Sequence, residues 1–313
     1  MKIGEYYDPR KVFGSSVSAI AKQDERIVLF SSDSGKSSGF KDFMTACPDR
    51  YFECGIAEQG TIGMAAGMAA GGFIPVFCAI APFVTCRPYE IFRNDVGYMH
   101  QNVKIVGRNS GITYSDLGST HHSLEDFAIV RMIPEVVILA PQDPNEIREA
   151  TKAMLAYDGP VYMRIGNPAI PVLFEDTNSF EIGKGRLICE GTEITVISTG
   201  SMTEHVMKAA KALKGDHIHV EHIGLPTVYP LDRELILKSA RKTKRVLIVE
   251  EHYQDGGLGT LVTELLSEEP DVSARRHGIP KCYATNGPYN DVLSYYELDE
   301  EGIIQHIKDF MSR

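Results

Sequence analysis

The sequence predicts an α/β protein with two doubly wound domains, each built on a mostly parallel sheet. Short apolar strands alternate with helical stretches over residues 27–165, as expected when helices cover both faces of such a sheet. Residues 166–184 contain Pro168 and Pro171 and show little periodicity, which indicates a linker. The alternation then restarts. We expect a first domain over 1–170, a linker over 171–185 and a smaller second domain over 186–313.

The individual elements follow from helix-start signals and from short apolar runs. Asp8 precedes Pro9, and Asp143 precedes Pro144; an N-cap acid followed by proline is typical of the start of a helix. Apolar runs of strand length bounded by turn residues predict strands. The predicted strands are 27–30, 74–80, 102–106, 136–139, 161–165, 193–198, 218–222 and 245–250. Further helices are predicted over 87–96, 124–132, 202–213, 233–239 and 258–266.

Composition limits the class of protein. The 313 residues are 43% hydrophobic and 24% charged, with a formal net charge of -10, which is typical of a globular protein that binds neither nucleic acid nor membranes. The start, MKIGEYYDPRK, lacks the apolar core of a signal peptide. The six cysteines form no CxxC pair, so we expect reduced core cysteines and no metal site made by this chain alone. These features predict a soluble, cytoplasmic protein.

The most informative stretch is residues 51–71, YFECGIAEQGTIGMAAGMAAG. It places a single acid, Glu58, at the start of a helix made of small residues and methionine. Such a helix packs closely against its neighbours, so this acid is expected to be poorly hydrated and to hold or share a proton. The alternative is that Glu58 only complements the helix dipole as a first-turn acid.

Other candidate residues follow the predicted strands, where sites form in open α/β sheets. They include residues 34–38, Phe83, the 109–121 loop with His121, and Arg164. Each also has an ordinary structural interpretation: a surface histidine, a core phenylalanine or an arginine in a salt bridge. No spacing of nucleophile and base suggests covalent catalysis by side chains. An acid, a histidine and an aromatic residue without a nucleophile suggest that a cofactor supplies it.

Five segments in order along the chain resemble the C-terminal half of transketolase, namely its pyrimidine-binding and C-terminal domains. They are GIAEQGTIGMAAGMA, RPYEIFRNDV, the stretch from GITYSDLGSTHHSLEDF to APQDPNE, LPTVYPLD and VEEHYQDGGLGTLV. The resemblance covers nearly the whole chain. It implies a thiamine-diphosphate enzyme that moves a two-carbon ketol unit from a ketose phosphate to an aldose.

The resemblance also implies roles around the cofactor. Glu58 matches the glutamate that hydrogen-bonds the pyrimidine N1′ atom, and Phe83 matches the aromatic residue that stacks on the pyrimidine ring. His121 matches the loop histidine near the 4′-amino group and the substrate. Ile80 and Cys86 occupy places where the family usually has aromatic residues around this ring. The catalytic residues are therefore expected to be Glu58 and His121.

For the substrate, the resemblance implies that Arg164, Ser37 and Arg10 contact a phosphate. Asn109 and Leu117 stand where sugar transketolases usually carry His and Asp, whose side chains contact hydroxyls of the donor. Leucine cannot replace that polar contact. An unusual donor is therefore expected, either a deoxy or otherwise modified ketose phosphate or a different two-carbon donor.

The family's GDG motif and downstream asparagine, which bind the diphosphate and Mg²⁺, are missing from this sequence. The resemblance therefore implies the small subunit of a split transketolase. It would be inactive alone and would work in an α2β2 assembly with a large subunit that binds Mg²⁺.

Two other interpretations stay open. The β subunit of a 2-oxoacid dehydrogenase E1 has the same two domains and a similar glutamate, but it acylates a lipoyl arm. A non-catalytic paralogue that binds and regulates a partner would explain the departures at Asn109 and Leu117. The retained Glu58, Phe83 and His121 argue against that second interpretation.

Overall fold

The computed structural model describes residues 1–175 and 180–312. Residues 176–179 of the predicted linker and residue 313 of the predicted second domain lie outside the described part. The strands are β1 (Tyr6–Tyr7), β2 (Ile27–Ser31), β3 (Tyr51–Glu53), β4 (Ile74–Ile80), β5 (Lys104–Arg108), β6 (Val137–Leu139), β7 (Val161–Arg164), β8 (Ile170–Pro171), β9 (Arg186–Cys189), β10 (Ile194–Ser198), β11 (Val220–Gly224), β12 (Thr227–Tyr229), β13 (Arg245–Tyr253) and β14 (Ser273–Ile279).

The helices alternate with these strands. They are α1 (Pro9–Ala21), α2 (Lys41–Ala46), α3 (Glu58–Ala70), α4 (Ala81–Val84), α5 (Tyr89–Ile91), α6 (Asp126–Val130), α7 (Pro144–Ala156), α8 (Met202–Leu213), α9 (Arg233–Thr243), α10 (Leu258–Leu266), α11 (Tyr289–Tyr295) and α12 (Glu300–Met311). A π-helical segment, Phe92–Tyr98, continues α5. One-turn 3₁₀ helices lie at Pro48–Arg50, Gly118–Thr120 and Lys214–Asp216.

Two mostly parallel sheets confirm the predicted fold class. The first has seven strands in the order β12-β6-β7-β5-β4-β2-β3, and the second has five in the order β14-β13-β10-β11-β9. Within these two sheets, as far as the described residues show, the edge strands β12 and β9 alone run antiparallel to their neighbours. Strands β1 and β8 pair antiparallel in a separate two-stranded sheet. Central strands such as β2, β4 and β10 are buried apolar runs, as expected for strands covered by helices on both faces. One apolar cluster joins β4 and β5 of the first sheet to β10 and β13 of the second, so the two sheets share a core.

The helix starts confirm both predicted caps. The Asp8 carboxylate accepts a hydrogen bond from the Arg10 amide, and the Asp143 carboxylate accepts one from the Glu146 amide. Each satisfies an amide of the first helical turn that has no partner within the helix. Helices α1 and α7 then pack against each other on one face of the first sheet.

Several sequence-based bounds were wrong. Strand β5 lies two residues later than predicted and includes Gly107 and Arg108, which do not look like strand residues but pair with β4 and β7. Helix α6 is shorter than the predicted 124–132, and α5 begins at Tyr89. Strands β9, β12 and β14 were not predicted, because edge strands tolerate polar or very short sequences. Strand β12 pairs with β6 and so adds a strand from the second half of the chain to the first sheet.

The division of the chain into a first domain (1–170), a linker (171–185) and a second domain (186–313) stays a prediction.

The cysteines are only partly as predicted. Cys47 and Cys78 are buried, but Cys86 and Cys282 are exposed, so the prediction of core residues is wrong for this second pair. All six thiols are free in the described structure. Among residues 1–175 and 180–312, no helix has the length and apolarity needed to cross a bilayer.

A buried ionic cluster joins the two sheets at the end of β7. The Arg164 side chain is 7% exposed and lies 3.4 Å from the Asp126 carboxylate. It also donates a 2.5 Å hydrogen bond to the main-chain oxygen of Glu251 on β13. Burial opposes the charge, but Asp126 and Glu251 outweigh it and raise the pKa of Arg164. Tyr162 donates a hydrogen bond to Asp126 and completes the cluster.

Replacing Arg164 is expected to destabilise the fold strongly. Arg164→Met leaves the buried carboxylates of Asp126 and Glu251 without their cation, a loss of about 3–5 kcal/mol in the free energy of unfolding. Chemical denaturation of both proteins measures this difference. Arg233→Met, which removes an exposed arginine on α9, is the control and is expected to change stability by less than about 0.5 kcal/mol. Equal stabilities of Arg164→Met and the control would contradict the role of the cluster.

Candidate functional site

A cavity of about 370 Å³ opens at the carboxyl edge of the first sheet. Four residues predicted from the sequence line it together: Glu58, Phe83, Ile80 and Ser37. They follow or end β2, β3 and β4, which are neighbours in the sheet. The parallel strand order thus brings together side chains that lie up to 46 positions apart, as the strand-end rule expects.

Glu58 is the first residue of α3, and only 4% of its side chain is exposed. Its Oε1 atom lies 2.7 Å from Nη1 of Arg87. A buried carboxylate is stable only with such a partner or with a proton. Thr61, Ile62 and Ala65 continue the face of α3 that begins with Glu58, and all three are buried. On the opposite side of the helix, Gly60, Met64 and Gly67 are exposed.

Phe83 forms the opposite wall of the cavity. The guanidinium of Arg87 lies over its ring, with Cζ 4.0 Å from the ring centroid. His121 packs edge-on against Phe83 with the ring centroids 5.3 Å apart, and Tyr114 packs edge-on against His121 at 5.4 Å. The His121 Nδ1 atom is 3.0 Å from the Thr120 hydroxyl. The imidazole is therefore held beside the cavity by two aromatic rings and one hydroxyl.

The cavity fits a flat ring with nitrogen hydrogen-bonding groups. The Arg87 guanidinium is itself a planar group, and it contacts the Glu58 carboxylate through Nη1 and lies over the Phe83 ring. An aminopyrimidine presents the same combination of a π-face and polar nitrogen atoms. Glu58 and Phe83 are therefore suited to hold the pyrimidine of thiamine diphosphate.

Arg108 is a second cation of the cavity, and sequence reasoning missed it. It ends β5, is 4% exposed, and donates hydrogen bonds to the hydroxyls of Ser37 and Ser38 and to Oδ1 of Asn109. Burial lowers its pKa, and the charge of Arg10 acts in the same direction. In the described part of the chain, no carboxylate lies within salt-bridge distance of Arg108. A buried guanidinium without an acid is suited to bind an anion.

Other residues expected around the substrate lie elsewhere. Arg164 belongs to the buried ionic cluster and lines a separate cavity of about 350 Å³ between the two sheets. Arg10 is held by the Asp8 carboxylate at 2.9 Å. Asn109 is 1% exposed and contacts Arg108, and Leu117 is 45% exposed and does not line the cavity of Glu58. The structure therefore brings Arg108, rather than Arg164, to the cavity of Glu58.

Cys86, expected beside the pyrimidine ring, points its thiol toward Glu125. The Sγ atom donates to Oε1 of Glu125 at 3.4 Å, and the residue does not line the cavity. Ile80 does line it. Within residues 1–175 and 180–312, no group of three or more His, Cys, Asp or Glu side chains is arranged to hold a metal ion.

Comparison with known families assigns both halves of the chain. The family model "Transketolase, pyrimidine binding domain" matches residues 5–171, and "Transketolase, C-terminal domain" matches residues 183–303. The chain belongs to the transketolase family. The resemblance inferred from the five sequence segments is thereby confirmed, together with the order of the two domains.

Three similar proteins are informative. A subunit of an apulose-4-phosphate transketolase from Phocaeicola vulgatus is 37% identical over 305 residues, which are 97% of each chain. A 6-deoxy-6-sulfo-D-fructose transketolase subunit, SqwH, from a Clostridium species is 36% identical, with coverage of 94% of this chain and 91% of that one. A solved structure described as "Split gene transketolase, inactive beta4 tetramer" is 32% identical, with a TM-score of 0.91 and coverage of 97% and 98%.

The two arginines were missed for different reasons. Arg108 stands directly before Asn109, but the predicted strand ended two residues too early and left this position out of the strand-end set. Arg87 was treated only as part of a helix segment, although it is a lone cation four residues after Phe83. A charged residue that ends a buried strand is the signal that could have identified Arg108.

Binding of an anion by Arg108 can be tested on the chain alone. At fixed ionic strength, inorganic phosphate is expected to raise the melting temperature of the unmodified chain by about 1–3 °C, because a ligand of the folded state stabilises it. Arg108→Met should lose most of that increase, and Arg93→Met, which removes an exposed arginine, should keep it. The same increase in all three proteins would contradict an anion site at Arg108.

Proposed function

We propose that this chain is the small subunit of a split transketolase. It would transfer a two-carbon ketol unit from a ketose phosphate to an aldose acceptor with thiamine diphosphate. The observation that carries the proposal is the pairing of a buried acid, Glu58, with the aromatic wall of Phe83 in one cavity. The similar proteins described as transketolase subunits, which the chain matches over nearly their whole length, support it.

Each side chain of the site would have a different role around the cofactor. When bound, thiamine diphosphate supplies the nucleophilic carbon and the electron sink for cleavage of the ketose. Glu58 would hold the pyrimidine N1′ atom through a shared proton, and Phe83 would support the ring face, with Ile80 beside it. His121, held against Phe83 and Tyr114, would move a proton to and from the substrate oxygens. Cys86 would lie just outside this group.

A second chain would complete the site. Ile56 lines the cavity of Glu58 and is 75% exposed, and Phe52 and Met64, elsewhere around β3 and α3, are 38% and 48% exposed. Exposed apolar surface is typical of a protein interface. We propose that a large subunit covers this exposed surface in an α2β2 assembly and binds the diphosphate and Mg²⁺. The similar structure described as an inactive β4 tetramer supports the need for a different partner.

The donor is proposed to carry an anionic group that Arg108 and Ser37 bind. Arg108 has no acid partner in the described chain, and its guanidinium lies in the cavity of Glu58. The two similar subunits are described with a 4-phosphate and a 6-sulfo sugar, and both groups are anionic. Arg10 adds positive charge nearby. Asn109 would orient the Arg108 side chain. Leu117 would not make the polar contact to the donor that is usual in the family. Arg164 would support the 109–121 loop and would not contact the phosphate.

Turnover should require both chains and Glu58. With thiamine diphosphate and Mg²⁺, the mixture of this chain and its large subunit is expected to convert ketose phosphates, whereas this chain alone should not. Glu58→Gln should lower kcat in the mixture by about 10²–10⁴-fold, because it removes a proton-sharing group. Glu90→Gln, at an exposed position nearby, is the control. The assay follows aldose release from xylulose 5-phosphate, fructose 6-phosphate and their deoxy and sulfo analogues.

Three results would contradict this proposal. Full turnover by the Glu58→Gln complex would exclude its role at the cofactor. Conversion of a 2-oxoacid with acylation of a lipoyl acceptor, and of no ketose, would instead show the E1 reaction. An assembled complex that binds the cofactor and converts neither class of substrate would support the non-catalytic paralogue.

A further inference from the structure

Arg87 makes two contacts that the proposed function assigns to the cofactor. Its Nη1 atom is 2.7 Å from Oε1 of Glu58, and its Cζ atom is 4.0 Å from the Phe83 centroid. One flat, nitrogen-rich group thus bridges the acid and the aromatic wall. A pyrimidine ring bound by the same two side chains would need the same space.

The main chain of Arg87 is fixed, so only its side chain has to move. The Arg87 amide donates to the Pro82 oxygen at 3.1 Å, and the Arg87 oxygen accepts from Nε2 of Gln59 at 3.3 Å. Pro88 follows and restricts the backbone further. In contrast, the side chain is 38% exposed. It can therefore leave toward solvent without a rearrangement of α3 or α4.

The Arg87 guanidinium is the ion-pair partner of the buried Glu58 carboxylate while no ligand is bound. Glu58 is 4% exposed, and a carboxylate this deeply buried is costly without a partner. A stacked arginine adds a cation–π attraction to the ion pair. A ligand that binds Glu58 and Phe83 must compete with both contacts, so its apparent affinity falls with the fraction of chains in which Arg87 is in place.

We propose that Arg87 is a stand-in for the pyrimidine ring: its side chain occupies the ring's place between Glu58 and Phe83 and leaves when thiamine diphosphate binds. This inference rests on the proposed function and names a residue that sets cofactor affinity.

Cofactor affinity of the assembled two-subunit complex tests this inference by calorimetry, with thiamine diphosphate and Mg²⁺ as the probe. The Arg87→Ala complex is expected to bind the cofactor about three- to tenfold more tightly than the unmodified complex. This factor corresponds to the strength of a partly exposed ion pair plus a cation–π contact, which the cofactor no longer has to displace. Arg87→Lys keeps the charge but lacks the planar guanidinium, so the cofactor affinity of its complex should lie between those of the Arg87→Ala and unmodified complexes. Arg93→Ala, the control at an exposed position on the following π-helix, should not change the affinity.

A second measurement separates competition from a purely structural role. The isolated Arg87→Ala chain is expected to melt at a lower temperature than the unmodified chain, because Glu58 loses its partner, while its complex binds the cofactor more tightly. Equal or weaker binding by the Arg87→Ala complex would overturn the inference and leave the proposed function intact. An unmodified complex that assembles but binds no cofactor would overturn both.

Discussion

The arrangement of the site depends on the buried cation of Arg164. This side chain ends β7 and holds the main chain of β13 through the Glu251 oxygen. The Glu251 carboxylate in turn accepts the amide of Ile112, inside the loop that leads to His121. Arg164 also approaches the Ser123 oxygen at 3.4 Å, just beyond that histidine. Arg164 thus holds one end of the loop directly and is linked to the other end through Glu251, and the loop brings His121 against Phe83.

The cavity has an acid at one side and a cation at the other. Glu58 is buried and paired with a half-exposed arginine, whereas Arg108 is buried among hydroxyl and amide oxygens only. Both features are costly in an empty fold. Under the proposed function, a thiamine cofactor would offer a flat nitrogen ring to Glu58, and an anionic sugar would offer its charged group to Arg108.

Local chemistry and apolar periodicity predicted most of the fold. Asp8 and Asp143 predicted helix starts because a cap acts within three residues of itself. The strands at 27–30 and 74–80 were predicted because both faces of a central strand are apolar. Strands β12 and β14 escaped detection because their pairing partners, not their own sequences, make them strands.

The candidate site was harder to predict than the fold. Glu58 and Phe83 could be placed at one edge because sites in open α/β sheets form at the carboxyl ends of the strands. Arg108 could not be identified in this way. Its availability for an anion depends on its contact with Ser37, 71 residues away, and on the lack of a nearby acid in the described chain. Arg164 follows a strand like the others, yet its charge is used by Asp126 and Glu251. A sequence shows which charges are present but not which of them are already neutralised.

The most direct test is a structure of this chain with its large subunit, thiamine diphosphate and Mg²⁺. We expect the pyrimidine ring between Glu58 and Phe83, with N1′ at hydrogen-bond distance from the carboxyl group and the diphosphate on the partner chain. His121 should lie beside the ring. A cofactor bound away from Glu58, or a complex in which Phe83 contacts no ring, would contradict the role of this cavity as the pyrimidine site.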